Sequence, residues 1–259
     1  MRDLGVLDDG WLSEATAIDG DLVAGSGNGG GHASRPFVHD LGTGRTTVLP
    51  LLPGGSAGEA LGISGDAVVG WSDSADGGAQ AFVYDLAAGT LHGLDTLAGG
   101  EASWAQAVDG DDVVGHSLVR TGAEAFAADL ATGRLTGLGV LPLGTHSTAY
   151  AVDDGVVAGR ANIYTDQDSF YWHAVVRPVA AGEWGLLPEP AGTWGSEAHG
   201  VDAGGDALQV VGTLSTRAGD RAVLWTLQPS VIGARPVVLG TPAVGRRLTV
   251  RRGDWQPAG

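Results

Sequence analysis

Three glutamates, Glu14, Glu59 and Glu197, take the second place in SEATAID, GEALGIS and SEAHGVD, three copies of a segment that the chain writes five times. Glycoside hydrolysis needs two carboxylates at a set separation, one to protonate the leaving oxygen and one to act as base or nucleophile, so these three are the candidates for such chemistry. The other two copies carry Trp104 and Thr148 in that place, and the fourth place is as varied: Thr16, Leu61, Gln106, Tyr150 and His199. Trp71, Trp172 and Trp194, expected on loops or strand ends, offer flat faces that could stack on sugar rings.

Other chemistries lack their residues. With no cysteine there is no thiolate nucleophile, disulfide or thiolate metal site, and the seven histidines show neither a His-Glu-x-x-His spacing nor a partner Gly-x-Ser-x-Gly elbow. Gly25 to Gly30 satisfies GxGxxG, but phosphate binding by that pattern needs a helix to follow, and none is expected, so the segment reads as a loop. Ser74, Asp76 and Gly78 are similar to the Asp-box turn of sialidase propellers, without its second hydroxyl and tryptophan, and read as a turn. Asp19 with Asp21, and Asp109 with Asp111 and Asp112, could offer hard oxygen ligands. Aspartate also favours such turns by bonding its own backbone. No cofactor is therefore expected, calcium being the one ion these turns would suit.

The 30 acidic residues outnumber 14 basic ones, all arginine, and the formal charge of −16 repels phosphate backbones and anionic lipid surfaces. Nucleic acid is excluded as an expected partner. No apolar run reaches the roughly 20 residues of a membrane helix, so no membrane insertion is expected. Met1 leads into RDLGVL rather than a basic and then apolar signal, so a signal peptide, if the protein is secreted, lies upstream of this sequence.

The positioning elements follow from the repeat. SEATAIDGDLVAG, GEALGISGDAVVG, SWAQAVDGDDVVG, STAYAVDDGVVAG and SEAHGVDAGGDALQVVG end on Gly25, Gly70, Gly115, Gly159 and Gly212, spaced by 45, 45, 44 and 53 residues. Each is one supersecondary unit with variable loops. A first strand turns through an Asp-Gly pair into a second; the third is PFVHDL or its equivalent, and the fourth is typified by LTGLGVL from Leu135. Small residues hold the third and fifth places of the first strand while the second and fourth vary, and simple alternation puts these two sets on opposite faces.

The fold expected is all-β: a five-bladed β-propeller of four-stranded antiparallel blades, covering residues 1–227. The fifth unit lacks a fourth strand, and RDLGVL at Arg2 to Leu7 matches GLGVL at Gly137 to Leu141. The N-terminal strand is therefore expected to close the last blade and remove an open edge.

On Ser103, Ala105, Val108, Val113 to Ser117, AFVYDL from Ala81 and LDTLAGG from Leu94, the units resemble HAF repeats, a family of extracellular bacterial repeats. The family's complete His-Ala-Phe is absent, the nearest stretches being Glu124 to Phe126 and His173 to Val175. The resemblance implies an extracellular or cell-surface location and the repeat architecture, and no activity. After a linker at 228–234, residues 235–259 carry five arginines and resemble the opening of a bacterial immunoglobulin-like module, too short to close a sandwich.

The expected function is a non-catalytic extracellular or surface repeat domain, a monomer, binding a glycan or a protein ligand. Its ligand-facing residues would be Glu14, Thr16, Glu59, Leu61, Trp104, Gln106, Thr148, Tyr150, Glu197, His199 and Trp71. The alternatives are a carbohydrate-active enzyme using the three glutamates, and a structural spacer in a modular surface protein.

Overall fold

The computed structural model describes residues 1–29, 33–130, 132–164, 170–180 and 182–228, together with the backbone of 237–239 and 249–251. The described residues form strands and turns with no helix. Four sheets of four strands run in plain meander order. They are β1 to β4 (Ser13–Asp19, Leu22–Gly27, Arg35–Asp40, Arg45–Val48), β5 to β8 (Gly58–Ser64, Ala67–Asp73, Ala79–Asp85, Thr90–Gly93), β9 to β12 (Ala102–Asp109, Asp112–Val119, Gly122–Asp129, Leu135–Gly139) and β13 to β16 (Ser147–Asp153, Val156–Tyr164, Phe170–Pro178, Gly185–Leu186). A fifth sheet has three, β17 to β19 (Thr193–Asp202, Leu208–Thr216, Gly219–Leu227). All neighbours pair antiparallel. The short strands β20 (Val237–Leu239) and β21 (Thr249–Arg251) pair with each other in a separate sheet, and the rest of the expected linker and tail lies outside the described residues.

Successive sheets pack face to face, and the first strands β1, β5, β9, β13 and β17 lie side by side as the innermost layer. Radial repetition of four-stranded sheets about inner strands is propeller-like architecture. The core is four clusters, one per junction. Ala24, Val38 and Ile63 meet between the first two sheets, Val69, Val83 and Val108 between the next two, Val114, Leu138 and Val152 after them, and Ala158, Val176 and Val210 between the last two. Among the described residues no packing of that extent joins the fifth sheet to the first.

Each sheet is pinned by the closing glycine. A Cβ on Gly25, Gly70, Gly115, Gly159 or Gly212 would overlap the backbone carbonyl oxygen of Glu14, Glu59, Trp104, Thr148 or Glu197 on the adjoining first strand. Only glycine admits that approach.

Opposite it, every first strand carries a β-bulge at its fourth place. Ala15 pairs with Gly25 and Ala17 with Ala24, leaving Thr16 as the extra residue, and the same shift singles out Leu61, Gln106, Tyr150 and His199. The simple alternation expected along this strand is therefore broken. The third and fifth places lie opposite consecutive residues of the second strand, so they face opposite ways rather than forming one tight face.

The expected closure by the N-terminal strand is absent from this structure. Arg2 to Leu7 pairs with no strand, and the fifth sheet ends at β19. The segment instead lies against the first sheet, where Arg2 donates to the Leu41 carbonyl at 2.9 Å and the Ser13 hydroxyl donates to the Gly5 carbonyl at 2.6 Å.

Candidate ligand-binding face

A bulge re-aims the extra side chain, and five bulges in register present five unlike residues on the inner strands. The second place of each first strand pairs with the residue just past the closing glycine: Glu14 with Ser26, Glu59 with Trp71, Trp104 with His116, Thr148 with Arg160, and Glu197 with Thr213. Directly opposed residues of an antiparallel pair project from the same face. Each sheet thus contributes a varied trio of second-place, bulge and post-glycine side chains.

In the last three sheets these trios converge. Arg160 donates through Nη1 to Glu197 Oε1 at 2.5 Å, bridging the fourth sheet to the fifth. Its guanidinium lies 4.1 Å from the Trp172 ring centroid and 5.6 Å from that of Tyr150. Arginine stacks in this way because its weakly hydrated plane suits the negative face of an aromatic ring. Tyr150 also sits 5.6 Å from the His199 ring, and His199 Nε2 is 4.0 Å from Glu197 Oε2. Trp172 is flanked edge-on by Phe170 at 5.6 Å and His146 at 6.0 Å.

One sheet away, the Trp104 and His116 rings stack at 4.9 Å with planes 12° apart. Burial, helped by the nearby Arg160 charge, holds His116 down at about 4, so it is neutral at pH 7. Burial also raises the Tyr150 phenol, partly offset by Arg160. Among the described residues, His116 Nδ1 and Arg160 Nε are buried without a hydrogen-bond partner.

The structure gathers Trp104, Thr148, Tyr150, Glu197 and His199 of the expected site, and separates the rest. Glu59 Oε2 accepts from Trp71 Nε1 at 3.2 Å, a pair confined to the second sheet, and Trp71 lies inside β6 rather than on a loop. Trp172 likewise lies within β15, while Trp194 is the second residue of β17, at a strand end as expected, with half its surface exposed. Glu14 is exposed on the first sheet. Thr16 donates to Ala60 O at 2.8 Å, and Leu61 and Gln106 are half-buried in their bulges, whereas Thr148 is buried opposite Arg160. Among the described residues no two of the three glutamates share a hydrogen-bond partner, and Glu197 is tied to an arginine.

Sequence reasoning missed Arg160 and His116. The residue after each closing glycine runs Ser26, Trp71, His116, Arg160, Thr213, a variable column as legible as the two that were read.

The acidic turns have a structural use. Asp19, Asp109 and Asp153 accept backbone N–H groups from the turn of the next sheet, at Gly65 (2.6 Å), Asp154 (2.9 Å) and Ala203 (2.6 Å). Among the described residues no three His, Asp or Glu side chains gather to hold a metal ion. Asp73, in the Asp-box-like stretch, accepts from the Ser56 and Ala57 amides, and these bonds hold its carboxyl below the usual range.

No family model matches the chain, and no curated protein matches it. Similar solved structures include TolB from Acinetobacter baumannii (15% identity, 84% of this chain and 55% of that one, TM-score 0.51). Others are an oligogalacturonate lyase from Vibrio parahaemolyticus (13%, 88% and 65%, TM-score 0.50) and a prolyl endopeptidase (12%, 92% and 39%, TM-score 0.53). This chain spans less than two thirds of each, and the likeness establishes the all-β, propeller-like fold alone. Neither the HAF-repeat nor the immunoglobulin-like resemblance survives, since no such family matches and the structural neighbours lie elsewhere. The recurring glycines and bulged strands behind that self-similarity serve the internal geometry of these five sheets. The extracellular setting that the resemblance implied loses its support with it.

Proposed function

We propose that this chain is a non-catalytic, monomeric five-bladed propeller that binds a glycan on its inner face, between the third and fifth sheets. The observation that carries this reading is the Arg160 clamp, in which an arginine fixed by Glu197 is layered on Trp172 beside Tyr150 and His199. Such a platform pairs flat apolar faces with a few oriented polar groups, the combination that recognises a saccharide. The arginine is already matched to a carboxylate, and Glu14 and Glu59 add negative charge to the inner strands. The ligand is therefore a neutral or amino sugar rather than a uronate, unlike that of the lyase named above.

The test is binding of the purified chain to a panel of neutral, amino and uronate oligosaccharides, in calcium and again in chelator. Saturable binding of a neutral or amino sugar is expected, weakened at least about tenfold by Trp172→Ala and by Arg160→Ala. Silence across the panel sinks the glycan reading and leaves a protein ligand. Turnover abolished by Glu14→Gln, Glu59→Gln or Glu197→Gln would establish the enzyme instead, and loss of binding in chelator would assign the acidic turns to calcium.

A further inference from the structure

The faces that pack at the four internal junctions have counterparts at the two ends of the series that are uncovered. The residue before the closing glycine is Ala24, Val69, Val114 and Ala158 in the first four sheets, each 0% exposed, but Val211, in the fifth, is 50% exposed. Its cross-strand neighbour is buried as Val38, Val83, Ala127 and Val176, whereas Leu224 is 57% exposed. On the first strands Ile63, Val108 and Val152 are 7–8% exposed, while Ile18 of the first sheet is 64% exposed. The fifth sheet offers the face that each sheet turns to its successor, and the first offers the face that each turns to its predecessor. A hollow of about 380 Å³ lies at the latter, lined by Leu4, Ala17, Ile18 and Val23.

Polar groups follow the same code. The serine at the first place of the repeated segment accepts the N–H of the preceding sheet's third strand: Ser103 from Ala81 at 3.0 Å, Ser147 from Ala125 at 2.9 Å and Ser196 from Ala174 at 2.6 Å. Where that third-strand residue is Pro36, with no N–H to give, the opening residue is Gly58, with no hydroxyl to receive it. The hydroxyl returns at Ser13, and the third-strand residue of the fifth sheet is Ala222, with an N–H. The turn carboxylates leave a matching pair, since Asp202 stands where Asp19, Asp109 and Asp153 bond the next sheet, and Gly20 stands where Gly65 receives one of those bonds. Gly5 accepts from Ser13 just as Gly139, at the end of β12, accepts from Ser147, and both glycines have positive φ, 80° and 74°. Relative to the first sheet, Arg2 to Leu7 already sits where the fourth strand of a preceding sheet belongs.

We infer that the fifth sheet docks on the first, Ser13 receiving the Ala222 N–H and Asp202 the Gly20 N–H, with Arg2 to Leu7 added to the edge of β19. This deepens the binding reading, on which its functional consequence rests: docking sets Glu14 and Thr16 beside Glu197 and His199 and completes the inner face. Ligand binding and docking then support each other, because a ligand spanning the seam favours the docked form.

The chain has no cysteine, so a single introduced thiol reports on the seam. Val211→Cys and Ile18→Cys, each in the full chain, are labelled with a thiol reagent and compared with Leu186→Cys, an exposed control (53%). Both seam thiols are expected to react at least a hundredfold more slowly than the control, independent of protein concentration, and to gain speed when residues 1–7 are deleted. Rates within a few-fold of the control overturn docking, and so does protection that disappears on dilution, which would mean that a second copy covers the face. The readout is independent of glycans, so failure of the panel and failure of the seam are distinguishable.

Discussion

The second, third and fourth sheets are covered on both faces, while the first and fifth are each covered on one, although all five are built by the same internal rules. Glycine opposite a bulged strand recurs in every sheet, and the fifth pairs along its strands as the third does, with one further register shift between Thr193 and Gly195. The difference lies between sheets. Each internal junction buries several aliphatic side chains, worth roughly 1.5–3 kcal/mol apiece when fully removed from water. The seam forgoes that burial at Ile18, Val211 and Leu224. Strand pairing is local and is satisfied by each hairpin alone, whereas packing between the terminal sheets must bring together residues about 200 apart and meet the entropy of closing that loop.

Substitution of the closing glycine tests whether the sheets are truly alike. Gly115→Val and Gly212→Val should each cost at least about 3 kcal/mol or prevent folding, because the new side chain meets backbone that cannot yield. Equal losses in thermal or denaturant unfolding would confine the contrast to the seam; a mild effect at Gly212 alone would show that the fifth sheet is looser throughout.

Acid probes the covered side. Free histidine titrates near 6.5 and His116 is held at about 4, so between those values the unfolded chain takes up a proton that the folded chain refuses. Stability is full above pH 6.5 and falls as the pH drops, by about 2–3 kcal/mol at pH 4. His116→Gln should remove the part of this loss between pH 6.5 and 5, before most carboxylates protonate. An unchanged pH profile would refute the assignment.

The smallest effect is the most discriminating. Ser147→Ala leaves the Ala125 N–H buried and unpaired and should cost about 1–3 kcal/mol. Ser13→Ala should cost a similar amount if the seam is docked and little if it is open.

Much of this was legible in the residues because its causes are short-range. The five-fold recurrence, the glycine column and the Asp-Gly turns defined strands and meander order, since turn chemistry and period-two patterning act over a few residues. The bulges were not legible: Thr16 or His199 looks like any alternating residue, and only the shifted pairing opposite Ala24 or Val211 shows it to be extra. Trp71 was expected on a loop or strand end and lies inside β6, because a strand's end depends on how far its partner continues.

The sequence by itself determined the repeat unit, the number of such units and the identity of the variable columns, as each depends on interactions within one hairpin. Tertiary structure alone decided which variable residues meet. Arg160 reaches Glu197, 37 positions away, and leaves Glu14 and Glu59 apart, because the direction in which a bulge turns a side chain and the stacking of one sheet on the next are set by packing across the whole array.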